Sequence, residues 1–241
     1  MSGHSKWSKV KHQKAVTDVQ KGKIFSKMAK IITVNARGGG DPETNFGLRM
    51  AIEKARSANM PRDNIERAIK KGTGELGGEK IEEIFYEAYG PNGIALIIKT
   101  ITDNKNRTIS EIKNILGKHS GRLGETGSVK WMFEERGVLE LKIAEKDNLD
   151  DLEMKIIDAG AEDIKKQDDI LEIQTKPAEL NNIKNNLEEK KIKVESVNLE
   201  WAPKDPVKIE DEKSKAQIEK LFEALDEQDD IQEIYSNLKE Y

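Results

Sequence analysis

The amino-acid sequence predicts an α+β multidomain protein: an N-terminal three-helix bundle, then two ferredoxin-like-type α+β domains, one inserted in the other. Three observations predict it. Apolar residues recur every three or four positions as far as Lys71 and at alternate positions from Ile81, so the chain passes from helices to strands. Residues 138–201 have a rhythm of their own, strand–helix–strand–strand–helix–strand, the split βαβ order. A helix and a strand then remain after Pro203 and Pro206, and they complete a ββαβ pattern left open before residue 137. The boundaries that follow are 1–75 for a basic helical domain, 76–136 with 204–241 for a discontinuous α+β domain, and 137–203 for the inserted one.

Residues 1–16 are basic and weakly periodic, and read as an arm. A helix starts with Thr17 or Asp18 as N-cap, turns Ile24, Phe25, Met28, Ile31, Ile32 and Asn35 to one face, and ends at Gly38–Pro42. Lys23, Lys27, Lys30 and Arg37 fall roughly opposite. Thr44–Ala58 and Pro61–Lys71 make the second and third helices, burying Leu48, Ala51, Ile52 and Ala55, then Ile65, Ala68 and Ile69. Strands are predicted at Ile84–Tyr89, Ile94–Ile101 and Ser128–Glu134, with a helix over Arg107–His119 and a Gly124–Gly127 loop. Trp131 and Phe133 alternate and are expected in the core. In the inserted block, strands fall at Val138–Ile143, Ala161–Lys165, Ile170–Thr175 and Val194–Trp201, and helices at Leu149–Ala159 and Pro177–Lys190. Ser214–Leu225 is a helix and Ile231–Leu238 the last strand.

The 241 residues carry 41 basic and 45 acidic side chains, a net of −4 that hides an asymmetry. Residues 1–72 hold 16 basic and 6 acidic side chains, or +10, which leaves −14 for the remainder. A basic end on an acidic body points to a polyanion partner. The acidic C-terminal stretch would repel nucleic acid, and its expected role is instead to restrain the basic domain or to meet a protein partner. Absence of cysteine excludes disulfides and Cys-ligated metals. The N-terminus lacks an apolar signal region and no apolar run approaches the roughly 20 residues of a membrane span, so a soluble cytoplasmic protein is expected.

Chemistry concentrates in three places. The arm interleaves Lys6, Lys9, Lys11 and Lys14 with Trp7, His4 and His12, a pattern for phosphate neutralisation and base stacking. Lys21, Lys23, Lys27, Lys30 and Arg37 extend that basic surface along the first helix. Asp103, Asn104, Asn106 and Arg107 sit between a strand and a helix, where polar groups cap the helix and can present amides to an anion; plain capping is the favoured reading. Glu125 and Thr126 lie in a glycine-rich turn that matches neither GxxxxGK[ST] nor GxGxxG. The histidines, His4, His12 and His119, form no HExxH, and no GxSxG occurs. No catalytic residue, metal, cofactor or small-molecule substrate is expected.

The stretches GHSKWSKVKHQKAVTD, KGKIFSKMAKIITVNARGGGDPETN, LRMAIEKARSANMPRDNIERAIKKGTG, YEAYGPNGIALIIKTITDNKNRT and GRLGETGSVKWMFEERG resemble the YebC/PmpR family, whose members include bacterial proteins named as transcriptional regulators and the mitochondrial translational activator of cytochrome c oxidase. The resemblance is specific to about Gly137 and follows layout and length beyond it. It implies a crescent-shaped three-domain protein, cytoplasmic and non-enzymatic. It also implies a basic motif at His4, Lys6, Trp7, Lys9, Lys11, His12 and Lys14, and cleft-facing motifs at Thr102–Thr108 and Gly124–Ser128. Val19, Gln20 and Ala88 depart from the usual Ala, basic residue and Gly. Two functions follow: a DNA-binding transcriptional regulator, or a translation factor on ribosomal RNA or tRNA that relieves stalling, for instance at proline stretches. The sequence shows no helix-turn-helix, zinc finger or basic zipper. A nuclease built on the histidines and carboxylates is a third, weaker reading.

Overall fold

The computed structural model describes residues 18–77, 80–143 and 148–239. Three helices come first: α1 (Asp18–Ala36), α2 (Phe46–Ser57) and α3 (Arg62–Gly72). Asn45 sets the α1–α2 turn. Its Oδ1 accepts from the Leu48 amide at 3.0 Å as the N-cap of α2, and its Nδ2 donates to the carbonyls of Asn35 and Gly39, each at 2.8 Å. Ile32, Leu48, Ala51, Ala55, Ile65 and Ala68 form the buried centre of the bundle, as their spacing predicts. At Gly72 a Cβ would collide with the Thr33 carbonyl and the Ala36 side chain, so α3 approaches α1 as closely as only glycine allows.

Strands β1 (Glu82–Tyr89) and β2 (Ala95–Thr102) follow as a hairpin, then α4 (Lys105–Lys118) and the two-residue β3 (Arg122–Leu123). The hairpin turns through Pro91–Gly93, where Asn92 (φ 56°) and Gly93 (φ 74°) are left-handed. The chain continues through β4 (Phe133–Lys142), α5 (Leu149–Asp158), β5 (Asp163–Gln167), β6 (Ile170–Thr175), α6 (Leu180–Glu189) and β7 (Ser196–Pro203). It closes with α7 (Glu212–Asp226) and β8 (Ile231–Ser236).

Two four-stranded sheets result. The first has the order β3-β1-β2-β8, with antiparallel neighbours. Leu96 and Ile98 of β2 are buried with Ile112 and Leu116 of α4 and Leu221 and Phe222 of α7. Ile97 and Ile101, on the opposite face of β2, are buried as well, and α1 packs against this strand. The second sheet has the order β5-β6-β4-β7, the ferredoxin-like arrangement expected of residues 138–201, with α5 and α6 sharing one core with Leu139, Leu141, Leu171 and Ile173. The chain divides into two compact units, one running to Phe133 and resuming at Pro203, the other Glu134–Ala202.

The segment around residue 130 departs from the expected pattern. The strands predicted at 128–134 and 138–143 are replaced by one strand, β4, and the third strand of the first sheet is Arg122–Leu123. The cause is Glu87, whose carboxylate draws in the amides of Gly127, Val129 and Lys130, so this backbone curls into a turn and a 3-10 segment (Lys130–Met132). Trp131 is consequently not a core residue. Phe133 is 3% exposed and Trp131 66%.

Candidate nucleic-acid interface

The arm residues His4, Lys6, Trp7, Lys9, Lys11, His12 and Lys14 lie outside the described residues. Lys21 and Arg37 are exposed near the two ends of α1. Lys23, Lys27 and Lys30, spaced by four and three residues, share one helical face and meet the C-terminal end of α7. The Lys23 ammonium donates to the Glu227 carbonyl at 3.4 Å. Lys27 donates to the carbonyl and carboxylate of Asp226 at 2.9 and 3.3 Å. Lys30 donates to the Asp229 carbonyl at 2.9 Å and to the Asp230 carboxylate at 2.6 Å. The last carbonyls of a helix lack intrahelical donors and carry its negative dipole end, so three ammonium groups suit this place. These three lysines are thus engaged within the protein. Arg56, Arg67, Lys70 and Lys71 on α2 and α3 are exposed cations that the sequence pattern did not single out.

Asp103, Asn104, Asn106 and Arg107 surround the start of α4. Asn104 is the N-cap, its Oδ1 accepting from the Arg107 amide at 3.0 Å. Asn106 is exposed, and its carbonyl accepts from Ser110 at 2.8 Å. The Arg107 guanidinium donates to Asp103 at 3.0 Å and to Asp230 at 2.9 Å. Asp230 also accepts from the hydroxyls of Thr102 (3.1 Å) and Thr108 (2.7 Å) and from Lys30, so one carboxylate with 3% side-chain exposure joins α1, β2, α4 and the start of β8. Burial alone would raise its pKa. The hydrogen bonds from Arg107, Lys30 and Thr108 outweigh burial and hold it far below the ordinary carboxylate range. The same contact raises the Arg107 pKa. The sequence hid Asp230 inside the acidic run 226–230, which by composition is a solvated patch; no local pattern marks its partners, which lie more than a hundred residues away.

Glu125 and Thr126 are exposed in a loop that Glu87 holds from beneath. The Glu87 carboxylate, 8% exposed, accepts from Gly127 at 2.6 Å, Val129 at 2.7 Å and Lys130 at 2.8 Å. Here too burial opposes the charge, and the three amides outweigh it, lowering the pKa. The Tyr89 hydroxyl and the Trp131 indole N–H both donate to the Ser128 carbonyl, at 3.0 and 3.1 Å. This loop and the Asp103–Arg107 group lie apart on the first sheet. Glu82 pairs with Thr102, whereas Ala88 pairs with both Leu96 and Leu123, which places the two groups at opposite ends of the β1–β2 hairpin. At about 3.3 Å per residue that separation is roughly 20 Å.

Among the described residues no group of three or more His, Asp or Glu could hold a metal ion, and no helix is long and apolar enough to cross a membrane.

Comparison with known proteins places these features in a lineage. The chain is 49% identical over 239 residues to a "Probable transcriptional regulatory protein" of Halothermothrix orenii, covering 98% of this chain and 94% of that protein. A Persephonella marina protein of the same name is 49% identical over 243 residues, covering 99% and 96%. The crystal structure of a conserved hypothetical protein from Aquifex aeolicus shares the fold with a TM-score of 0.85 and 42% identity over 95% of this chain and 96% of that one. Residues 5–75 match the TACO1/YebC protein N-terminal domain, and residues 81–238 match the TACO1/YebC second and third domain. With both matches in sequence order and nearly the whole chain covered, the chain belongs to the TACO1/YebC family.

Proposed function

We propose that this chain is a cytoplasmic, non-enzymatic nucleic-acid-binding regulator of gene expression, acting as a DNA-binding transcriptional regulator. The observation that carries the reading is the +10 charge of residues 1–72 against an otherwise acidic chain. With Lys23, Lys27 and Lys30 turned to α7, the phosphate-binding surface we propose combines the arm with exposed cations such as Arg37, Arg56, Arg67, Lys70 and Lys71. The names borne by the relatives support a regulatory role. A second reading, a translation factor on ribosomal RNA or tRNA, is favoured by Trp7 among the lysines of the arm, because stacking on unpaired bases suits folded RNA better than a duplex.

Crosslinking the protein to nucleic acid in cells and sequencing the recovered fragments separates the two. Promoter DNA without ribosomal RNA is the expected result for a transcriptional regulator; enrichment of ribosomal RNA and tRNA without promoter DNA would replace that reading by the translational one. In vitro, Lys6→Ala/Lys9→Ala/Lys11→Ala should weaken binding and flatten the slope of log K against log salt by about one unit for each phosphate no longer neutralised. An unchanged slope would place the phosphate contacts outside the arm.

A further inference from the structure

Two turns at one end of the first sheet enclose a cavity of about 280 Å³. One joins β1 to β2 at residues 90–93, and the other joins α4 to β3 at residues 120–122. Gly121 lets them close up, since a Cβ there would lie 2.8 Å from the Tyr89 carbonyl. Asn92 (φ 56°) and Ser120 (φ 58°), one from each turn, both hold the left-handed backbone that residues other than glycine seldom adopt. Strain of this kind persists where packing over-determines it, and it gathers at ligand clamps. Arg122 completes the lining. It stands opposite Tyr89 in the β1–β3 ladder, its guanidinium 4.8 Å from the centre of the Tyr89 ring.

The polar side chains of this lining can all donate. The Arg122 guanidinium, the Ser120 hydroxyl and the Asn92 carboxamide are exposed, and among the described residues no hydrogen bond or ion pair engages them. No acid lines the cavity. Glu87 is taken up by the amides of Gly127, Val129 and Lys130, and Glu125 forms no ion pair with Arg122. The carbonyl end of α4 would repel an anion, but its Ile115 and Leu116 carbonyls accept from the His119 and Gly121 amides at 2.7 to 3.2 Å, and Lys118 stands in its last turn. A guanidinium held against an aromatic ring keeps its N–H edge for an oxyanion and loses little freedom in binding one. A carboxylate offers two oxygens, whereas a terminal phosphate offers three and carries more charge, which matches one cation with two further donors. The volume falls just below the roughly 300–1,000 Å³ of sites that enclose a drug-sized ligand, so it suits the phosphate end of a molecule.

We infer that the cavity between Tyr89 and Arg122 binds a phosphate monoester, with Arg122, Ser120 and Asn92 donating to the phosphate oxygens. A free nucleotide and the phosphorylated end of a nucleic-acid strand share this chemistry. The inference goes beyond the nucleic-acid reading above and does not rest on it, because the residues concerned lie outside the basic residues 1–72.

The isotopically labelled, full-length protein is followed by amide NMR. It is titrated with adenosine monophosphate, with adenosine, with acetate, and with a short single-stranded oligonucleotide ending in either a phosphate or a hydroxyl. Adenosine monophosphate is expected to shift the amides of Gly93, Ser120 and Gly121 and the Arg122 Nε–H, and adenosine and acetate to leave them in place. Arg122→Gln should weaken binding of the monophosphate about tenfold, and Ser120→Gly, which also relieves the left-handed φ, about fivefold. Lys118→Gln removes a neighbouring charge outside the lining and should stay within about twofold of the parent. If the phosphorylated strand shifts the same amides and the hydroxyl strand does not, the site takes strand ends; if the mononucleotide alone shifts them, it takes free phosphate esters. Either result supports the inference. Absence of these shifts at millimolar adenosine monophosphate, equal shifts with adenosine or acetate, or unchanged affinity in Arg122→Gln would each overturn it, while the nucleic-acid reading still stands or falls by the crosslinking.

Discussion

Asp230 shows how a single carboxylate organises a region of this molecule. It is nearly inaccessible to solvent and accepts hydrogen bonds from Lys30, Arg107, Thr102 and Thr108, so removing its charge strands two cations. Breaking a buried pair of this kind costs about 3–5 kcal/mol, and the 46% exposure of Arg107 lets water recover part of it. Asp230→Asn is therefore expected to lose about 2–3 kcal/mol in urea unfolding at pH 7. The pH dependence has a definite sign. The folded-state pKa is depressed, so in the acid range the unfolded chain binds the extra proton and stability falls as pH falls. The contribution is complete above about pH 5, where even an unperturbed carboxylate of pKa about 3.9 is ionised, and is lost progressively below it. The gap between wild type and Asp230→Asn should narrow from about pH 5 towards about pH 2; a gap constant over that range would show that the charge is not what Asp230 contributes.

At the scale of an element, the Gly124–Trp131 loop takes its shape from Glu87. Three amides point at one carboxylate, as they would at a bound anion, and the strand that alternation predicts here is replaced by a turn. Glu87→Ala leaves three donors to find water. It should cost about 2 kcal/mol, given roughly 1–3 kcal/mol for each fully buried unpaired group and the exposure of Gly127 and Lys130. Hydrogen exchange at Gly127, Val129 and Lys130 should accelerate while exchange in β2 does not. Acceleration throughout the sheet would mean that Glu87 supports the hairpin rather than the loop. Helix α1 makes a related point. Its apolar stripe was legible because the period of 3.6 is local, whereas the fate of its lysine face was not, because α7 arrives from about 200 residues later.

For the whole molecule, the charge asymmetry has two roles. Part of the positive charge of residues 1–72 is neutralised internally, where Lys27 and Lys30 meet the acidic corner that ends α7, while Arg37, Arg56, Arg67, Lys70 and Lys71 are exposed. Lys27→Ala/Lys30→Ala should loosen α1 from the first sheet. The expected result is faster limited proteolysis between α3 and β1 and faster exchange in α1, with helix content and the salt slope of nucleic-acid binding unchanged. A flattened salt slope with unchanged proteolysis would instead make these lysines phosphate ligands.

Element order, the cores and the polarity of charge were legible in the amino-acid chain. They follow from hydrophobic period and composition, which are local or additive: Leu48, Ala51 and Ala55, or Leu139 and Leu141, are buried as their spacing requires. The motifs that place the chain in its family were legible for the same reason. Long-range packing settled the rest. It made Lys23, Lys27 and Lys30 partners of α7, put Asp230 at the meeting of four segments and set the Asp103–Arg107 and Gly124–Ser128 motifs at opposite ends of a hairpin. It also brought Trp131 to the surface. The lysine, Asp230 and Glu87 pairings reach across 40 to 200 residues and more. The energy of such a pair is fixed by where the backbone brings two side chains together, which no local period encodes.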